Sequence, residues 1–406
     1  MLYLIIFLLL CFLVYRYDYK RIEEGRLFWL IGITVIFIVL GGLHYRLGYD
    51  TVAYERFYDK IPPLDKFKLR DFEKFRYNHG FILLSSFTKL FTDSIVLLNF
   101  IQASFVCGVI TWFFKQNTRN PFFALLLFFI FLFSLLIFEQ VREAIAVGFF
   151  LLAWPSFRDR KWLKWYALSL CALAFHTSAT LMFVLPVILL PGIRQLFVFG
   201  KRTFFLCAFV FAIAFIIQAS FYRYIELIAL TESSQQLISQ YEGTHYLKGN
   251  LNIVGIVSQL IRLVLYPFLA LYFLNSIHKS KSVSQDLYKI EVFVLTSIYI
   301  SIFSVAVPII SRFNNYFFFF SILLMSDWIF SLLRFHGKKV RFKFGFWAFI
   351  FLPLFMIQIY SSYWSNINKS GTYKTYMIYY PYTSHLDQEK DETREKIFTY
   401  SRRQRR

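Results

Sequence analysis

Residues 122–154 read FFALLLFFIFLFSLLIFEQVREAIAVGFFLLAW, an apolar run interrupted by Gln140, Arg142 and Glu143. Without the interruption it would continue unbroken from Phe122 to Trp154, so the polar residues mark a turn between two membrane crossings. An arginine is costly in hydrocarbon, and Arg142 must therefore face protein, water or an anionic ligand. Two readings stand side by side. Arg142 is either a snorkelling side chain at a hairpin or a charge kept for a ligand.

The rest of the chain is of the same kind. Hydrophobic residues make up 58% of it and aromatic residues 22%, with a mean hydropathy of +0.53. So much apolar surface excludes an ordinary soluble domain. A formal net charge of +20 would suggest nucleic acid in a soluble protein. Here the basic residues sit in short clusters between apolar runs, so topology accounts for them and no nucleic-acid partner is expected. Cys11, Cys107, Cys171 and Cys207 are isolated, with no CxxC spacing to suggest disulfides or zinc. Residues 2–15 lack a preceding charged region and a following small-residue cleavage site, which predicts an uncleaved first helix.

The basic clusters orient the runs. Arg16, Lys20, Arg21 and Arg26 place the first loop inside. Residues 27–43 then cross outward to a long polar loop, 44–79. Residues 81–91 are too short for a comfortable span and predict a re-entrant or tilted half-helix. Further crossings are read at 94–114, 121–138, 143–154, 165–175, 178–190, 203–221, 253–274, 290–310, 317–333 and 344–360, with a second outer loop at 222–252. The reading is an all-α polytopic membrane protein of about twelve transmembrane helices, some short or re-entrant. It forms one helical domain over residues 1–361, followed by a Tyr-rich, basic tail, 362–406. The side on which that tail lies stays open, because a basic end prefers the inside.

This topology, set by the basic loops alone, puts Arg46, Asp50, His79, Arg142, His176 and Arg312 at the outer face. Independent placements would rarely coincide in this way, and the shared side argues for a functional cavity. Arginines at Arg46, Arg142 and Arg312 suit an anionic lipid-linked substrate, because a guanidinium offers planar donors to phosphate and stays charged when partly desolvated. His176 can hydrogen-bond a phosphate or act as acid or base. Asp50 is the candidate base for an acceptor hydroxyl; an ion pair with Arg46, four residues away, is an equal alternative. For His79, capping or interface packing stands level with catalysis. DxD, HExxH and paired Cys/His clusters are absent, as is GxxxxGK[ST]. A metal-independent reaction with no cofactor is expected, driven by the substrate or a gradient.

Five motifs, in order, resemble the EpsG family of Wzy-like polysaccharide polymerases. Arg46-Leu47-Gly48-Tyr49-Asp50-Thr51 with Tyr54 is similar to its R-x-G-x-D-[TY]-x-x-Y signature. Asn78-His79-Gly80-Phe81 stands where the family has G-[YF]. Gln140-Val141-Arg142-Glu143-Ala144-Ile145-Ala146 resembles R-[QE]-x-[IL]-A. Phe175-His176-Thr177-Ser178-Ala179 resembles F-H-x-S-A, and Arg312-Phe313 with Tyr316 resembles R-[FL]-x-x-Y. Order and spacing hold over residues 27–333; Glu143 replaces the commoner Gln, and the tail is harder to align.

The resemblance implies a GT-C-like helical core in the bacterial inner membrane. It implies transfer of a polyprenyl-pyrophosphate-linked glycan onto another lipid-linked repeat unit at the outer face, for O-antigen, capsule or exopolysaccharide. On this implication Arg142, Asp50 and His176 are catalytic, while Arg46, Arg312, Tyr54, His79, Gln140 and Tyr316 bind substrate. A chain-length regulator and a flippase are the implied protein partners. A flippase of lipid-linked oligosaccharide, an O-antigen ligase and a membrane-bound acyltransferase with His176 as base are the competing readings.

Overall fold

The computed structural model describes residues 1–200, 202–203, 205–213, 260–278, 285–306, 308–334, 363–364, 366–367 and 371–404. Their regular elements are all helical. Contacts divide the chain into two units, Met1–Pro186 with Tyr376–Thr399, and Val187–Thr375 with Tyr400–Arg406.

In the first unit, Leu2–Leu13 is an unbroken apolar helix that widens into the π-helical turn Val14–Tyr19. That turn carries Asp18 into the interior. There the carboxylate accepts the Phe123 N–H at 2.7 Å and lies 3.7 Å from Arg26. An acid suits the start of the helix Pro121–Phe128, where Pro121 needs no donor partner. Arg21 and Arg26 both donate to the Arg119 carbonyl. This basic cluster marks one end of the unit.

Arg26–Leu43 has 18 residues and so runs about 27 Å to His44 at the other end. It lies against Val96–Asn117. Gly41 and Gly42 allow the close approach: a Cβ on Gly41 would fall 2.6 Å from Ile137 and 2.7 Å from Ala103, and one on Gly42 would fall 2.4 Å from Phe100. Thr34 and Thr111 share a hydroxyl hydrogen bond of 2.8 Å across the contact. Small residues and hydroxyl pairs are what join helices where lipid removes the hydrophobic drive.

Pro121–Phe128 continues as a π-helix, Phe129–Glu139, and stops at Gln140 (φ −95°, ψ 48°). Val141–Arg158 then begins and packs most extensively on Trp162–Phe175. The break therefore falls at the residues that interrupt the apolar run. The half-helix is His79–Thr88.

Among the described residues four helices are long and apolar enough to cross a membrane: Leu2–Tyr19, Arg26–Leu43, Val96–Asn117 and Pro121–Glu139. The pair Thr177–Leu189 and Pro191–Phe197, taken as one broken span, makes a fifth. The structure therefore does not confirm the expected count of about twelve. Val141–Arg158 carries Arg142, Glu143 and Arg158, and Trp162–Phe175 has 14 residues, too few for an upright span. The expected loop 222–252 and the span 344–360 lie outside the described residues, as do residues 214–221 and 253–259 of two further expected spans.

The second unit includes Tyr266–His278, Gln285–Ala306, the 3-10 turn Pro308–Phe313 and Asn314–Arg334. Phe293 packs on Phe317 and Phe320, with ring centroids 5.6 and 4.7 Å away. Ser297 donates to Asn314 at 3.4 Å.

Much of the stretch 362–406, set apart in the sequence as a tail, belongs to the first unit. Tyr45 N–H donates to the Thr383 carbonyl (2.9 Å) and His385 N–H to that of Leu43 (2.8 Å). Tyr382 donates to Leu40 and Tyr3 to Tyr379, each at 2.9 Å. The segment thus sits at the His44 end, remote from the Arg21–Arg26–Arg119 cluster.

Candidate functional site

The helix Thr51–Lys60 follows a tight loop in which Arg46 (φ 51°) and Gly48 (φ 89°) are left-handed. At Gly48 a side chain has no room: a Cβ would lie 3.1 Å from that of Glu139 and 3.2 Å from the Phe138 carbonyl oxygen. Thr51 donates to the same carbonyl at 3.2 Å. Loop and helix are thereby stitched to the break that precedes Arg142.

Two aromatic residues receive Arg142. Its guanidinium lies 4.4 Å from the Tyr77 ring centroid and 6.0 Å from that of Tyr54, within cation–π range. Nε also donates to the Tyr54 hydroxyl over a long 3.5 Å. Phe57 and Phe81 support these rings, at centroid distances of 4.5 Å (Phe57–Tyr77) and 5.7 Å (Tyr54–Phe81). Gly80 brings the half-helix close, since a Cβ there would fall 2.8 Å from the Ala174 carbonyl oxygen. Among the described residues, Arg142 forms no ion pair with a carboxylate.

Asp50 ends the loop half-buried, and its side chain does not cap the helix it precedes. The ion pair with Arg46 is not formed. Arg46 instead holds Glu55 at 3.2 Å and Glu395 at 2.7 Å. Burial pushes the Tyr54 phenol well above its ordinary value, with Arg142 pulling against the rise and Asp50 adding to it. Burial likewise raises Tyr77, with the same two opposed charges acting on it. Asp50 and Arg142 are thus within electrostatic reach of the same pair of tyrosines. Burial also raises Glu55, although Arg46 opposes it.

Adjacent positions on a helix point about 100° apart, so Glu143 faces elsewhere than Arg142. Glu143 is buried, and its Oε2 lies 4.0 Å from Nε2 of His176. His176 closes the helix Trp162–Phe175 in extended conformation. Its Nδ1 accepts the Ser178 N–H at 3.2 Å and lies 2.5 Å from the Ser178 hydroxyl. With Nδ1 accepting, the ring proton is on Nε2, which faces Glu143.

The family model described as "EpsG family" matches residues 26–384. The chain belongs to the EpsG family. This is a Wzy-like polymerase family, so at family level the chain is a membrane protein of the polysaccharide-polymerase, glycosyltransferase-like kind. Searches of curated proteins and of solved structures returned no match.

Of the EpsG-type motif residues, Arg46, Asp50, Tyr54, Arg142 and His176 all belong to the first unit. The Gln140 carbonyl accepts the Ala144 N–H at 2.8 Å as the arginine helix begins. His79 is exposed and packs edge-on against Phe72, with ring centroids 4.6 Å apart. Arg312 and the buried Tyr316 belong to the second unit and are described with it. Sequence reasoning missed Tyr77, Glu55 and Glu395. Tyr77 stands directly before the Asn78-His79-Gly80-Phe81 element, a position that could have flagged it. Glu395 lies 349 residues from its partner, and nothing local announces it.

Proposed function

We propose that this protein polymerises a lipid-linked glycan at the outer face of a bacterial inner membrane. One glycan leaves its polyprenyl pyrophosphate and joins an acceptor hydroxyl on a second lipid-linked repeat unit. The bond from the anomeric carbon to the phosphate oxygen breaks, a glycosidic bond forms, and polyprenyl pyrophosphate departs with the negative charge.

The observation that carries this reading is Arg142: a guanidinium held by Tyr54 and Tyr77, with no carboxylate paired to it among the described residues. A fixed cation of this kind stabilises charge that develops on a leaving pyrophosphate. Asp50, within electrostatic reach of the same tyrosines and without an ion pair among the described residues, takes the proton from the acceptor hydroxyl. His176, whose Nδ1 is taken by Ser178 and whose Nε2 faces Glu143, is assigned to the site on its motif alone. Arg312 and Tyr316 are assigned to substrate binding on their motif alone. A flippase that delivers the substrate and a regulator of chain length are the partners this function calls for.

The test is the length distribution of the surface polysaccharide from a deletion strain carrying wild type or Arg142→Ala. Wild type restores long polymer, and the variant leaves single repeat units. Loss of all surface glycan, with lipid-linked units trapped inside, would make the protein a flippase. Long polymer retained on the lipid carrier but missing from its final acceptor would make it a ligase.

A further inference from the structure

The helix Glu392–Gln404 lies beyond the last family-matched residue, Ser384, yet its first turn reaches the loop that carries Asp50. Arg394 is 1% exposed. Its guanidinium donates to the Thr383 hydroxyl at 2.7 Å, to the Pro381 carbonyl, and to the Met377 and Arg46 carbonyls at 3.4 Å each. Asp391 caps the turn by accepting the Arg394 N–H at 2.8 Å. The next residue, Glu395, takes Nη1 of Arg46 at 2.7 Å, while Glu55 takes Nε at 3.2 Å.

A buried guanidinium is costly unless its donors are satisfied, and here they are spent on backbone and a hydroxyl. What they join is the turn Met377–Thr383 to the carbonyl of Arg46, four residues before Asp50. Arg46 itself is left-handed, a conformation that non-glycine residues keep only when their surroundings impose it. Glu55 and Glu395 fix its side chain and Arg394 reaches its carbonyl. Two of those three restraints come from the C-terminal helix.

We propose that Arg394 and Glu395 are positioning residues: the C-terminal helix locks the Arg46–Asp50 loop so that Asp50 and Tyr54 are presented to Arg142. This rests on the site reading given above. It also makes Arg46, bracketed by two carboxylates, the keystone of the loop rather than a phosphate ligand.

The test uses the purified full chain in lipid nanodiscs, with a lipid-pyrophosphate-linked repeat unit as substrate. Glu395→Gln is expected to lower kcat by roughly ten- to a hundredfold, the scale of an ångström misplacement, and to leave the donor KM unchanged. In a Glu55→Gln background, so that no like charge meets the new carboxylate, Arg46→Glu and Glu395→Arg are each expected to be impaired, and the two together to recover most of the lost kcat. Amide hydrogen exchange over residues 45–54 reads the positioning without reference to turnover. It should accelerate in Glu395→Gln and return toward wild type in the charge-swapped pair. Unchanged exchange, kcat equal to or above wild type in Glu395→Gln, or a folded charge-swapped pair without recovery would overturn the proposal. A wild-type chain without polymerase activity would defeat the functional reading instead, and the exchange measurement would still decide this one.

Discussion

The Arg142 guanidinium lies over the Tyr77 ring at 4.4 Å from its centroid, with the Tyr54 hydroxyl on Nε. Both aromatic residues come from the segment before the half-helix, whereas Arg142 opens a helix more than sixty positions later. The arrangement holds a positive charge in place by ring faces and leaves the planar fork available to phosphate oxygens.

Arg142→Lys keeps the charge and loses the fork. Activity should fall by roughly one to two orders of magnitude, the value of one or two charge-assisted hydrogen bonds, and Arg142→Ala should be inactive. The thermal transition should stay near wild type in both, since among the described residues no carboxylate loses an ion-pair partner. Single-turnover release of lipid pyrophosphate, alongside a thermal melt, checks both halves.

Tyr77→Phe retains the ring face and should behave like wild type. Tyr77→Ala removes it, which is worth about 0.5–2 kcal/mol of cation placement, and should lower kcat/KM accordingly. Equal effects of the two substitutions would assign the role to the hydroxyl instead.

Gly48→Ala should destabilise by about 1–2 kcal/mol, the cost of a side chain at a left-handed residue. Its Cβ would also meet Glu139 and the Phe138 carbonyl within 3.1–3.2 Å. Because those atoms belong to the break before Arg142, activity should fall with stability. A melt and an activity assay on the same preparation read both.

Much of this arrangement was legible in the sequence. Gln140, Arg142 and Glu143 interrupt an apolar run, and a helix break follows from that alone. Pro121 announces a helix start, and Gly48 sits in a signature that requires a tight loop. The partners of Arg46 were not legible. Local spacing offered Asp50 as one of two equal readings, whereas the structure pairs Arg46 with Glu55 and Glu395, the second brought by a segment far along the chain. The full span count was not confirmed: among the described residues four helices, or five with the broken pair, are long and apolar enough to cross. Runs such as 143–154 and 165–175 are apolar but short, and hydropathy alone does not distinguish a crossing from a buried helix.

His44 gives the junction of loop and C-terminal segment a pH dependence. Burial lowers its pKa to about 4, with the Gly41 carbonyl acting the other way and His385 adding to the fall. A histidine depressed in the folded state stabilises it above the unfolded value, and that contribution is lost as pH falls toward the folded one. The thermal transition should therefore drop between about pH 6.5 and pH 4. Glu55, raised by burial, acts with the opposite sign, so the comparison is wild type against His44→Gln. The variant should show the shallower slope, and parallel slopes would remove His44 from the account.

In the proposed reaction Arg142 stabilises the departing lipid pyrophosphate during glycan transfer. This is measured on the purified full chain in nanodiscs, supplied with a lipid-pyrophosphate-linked repeat unit, with glycan length and free lipid pyrophosphate followed together. Wild type should release one lipid pyrophosphate for each repeat unit joined, and Arg142→Ala should release none while remaining folded. Polymer of wild-type length from Arg142→Ala would contradict the account.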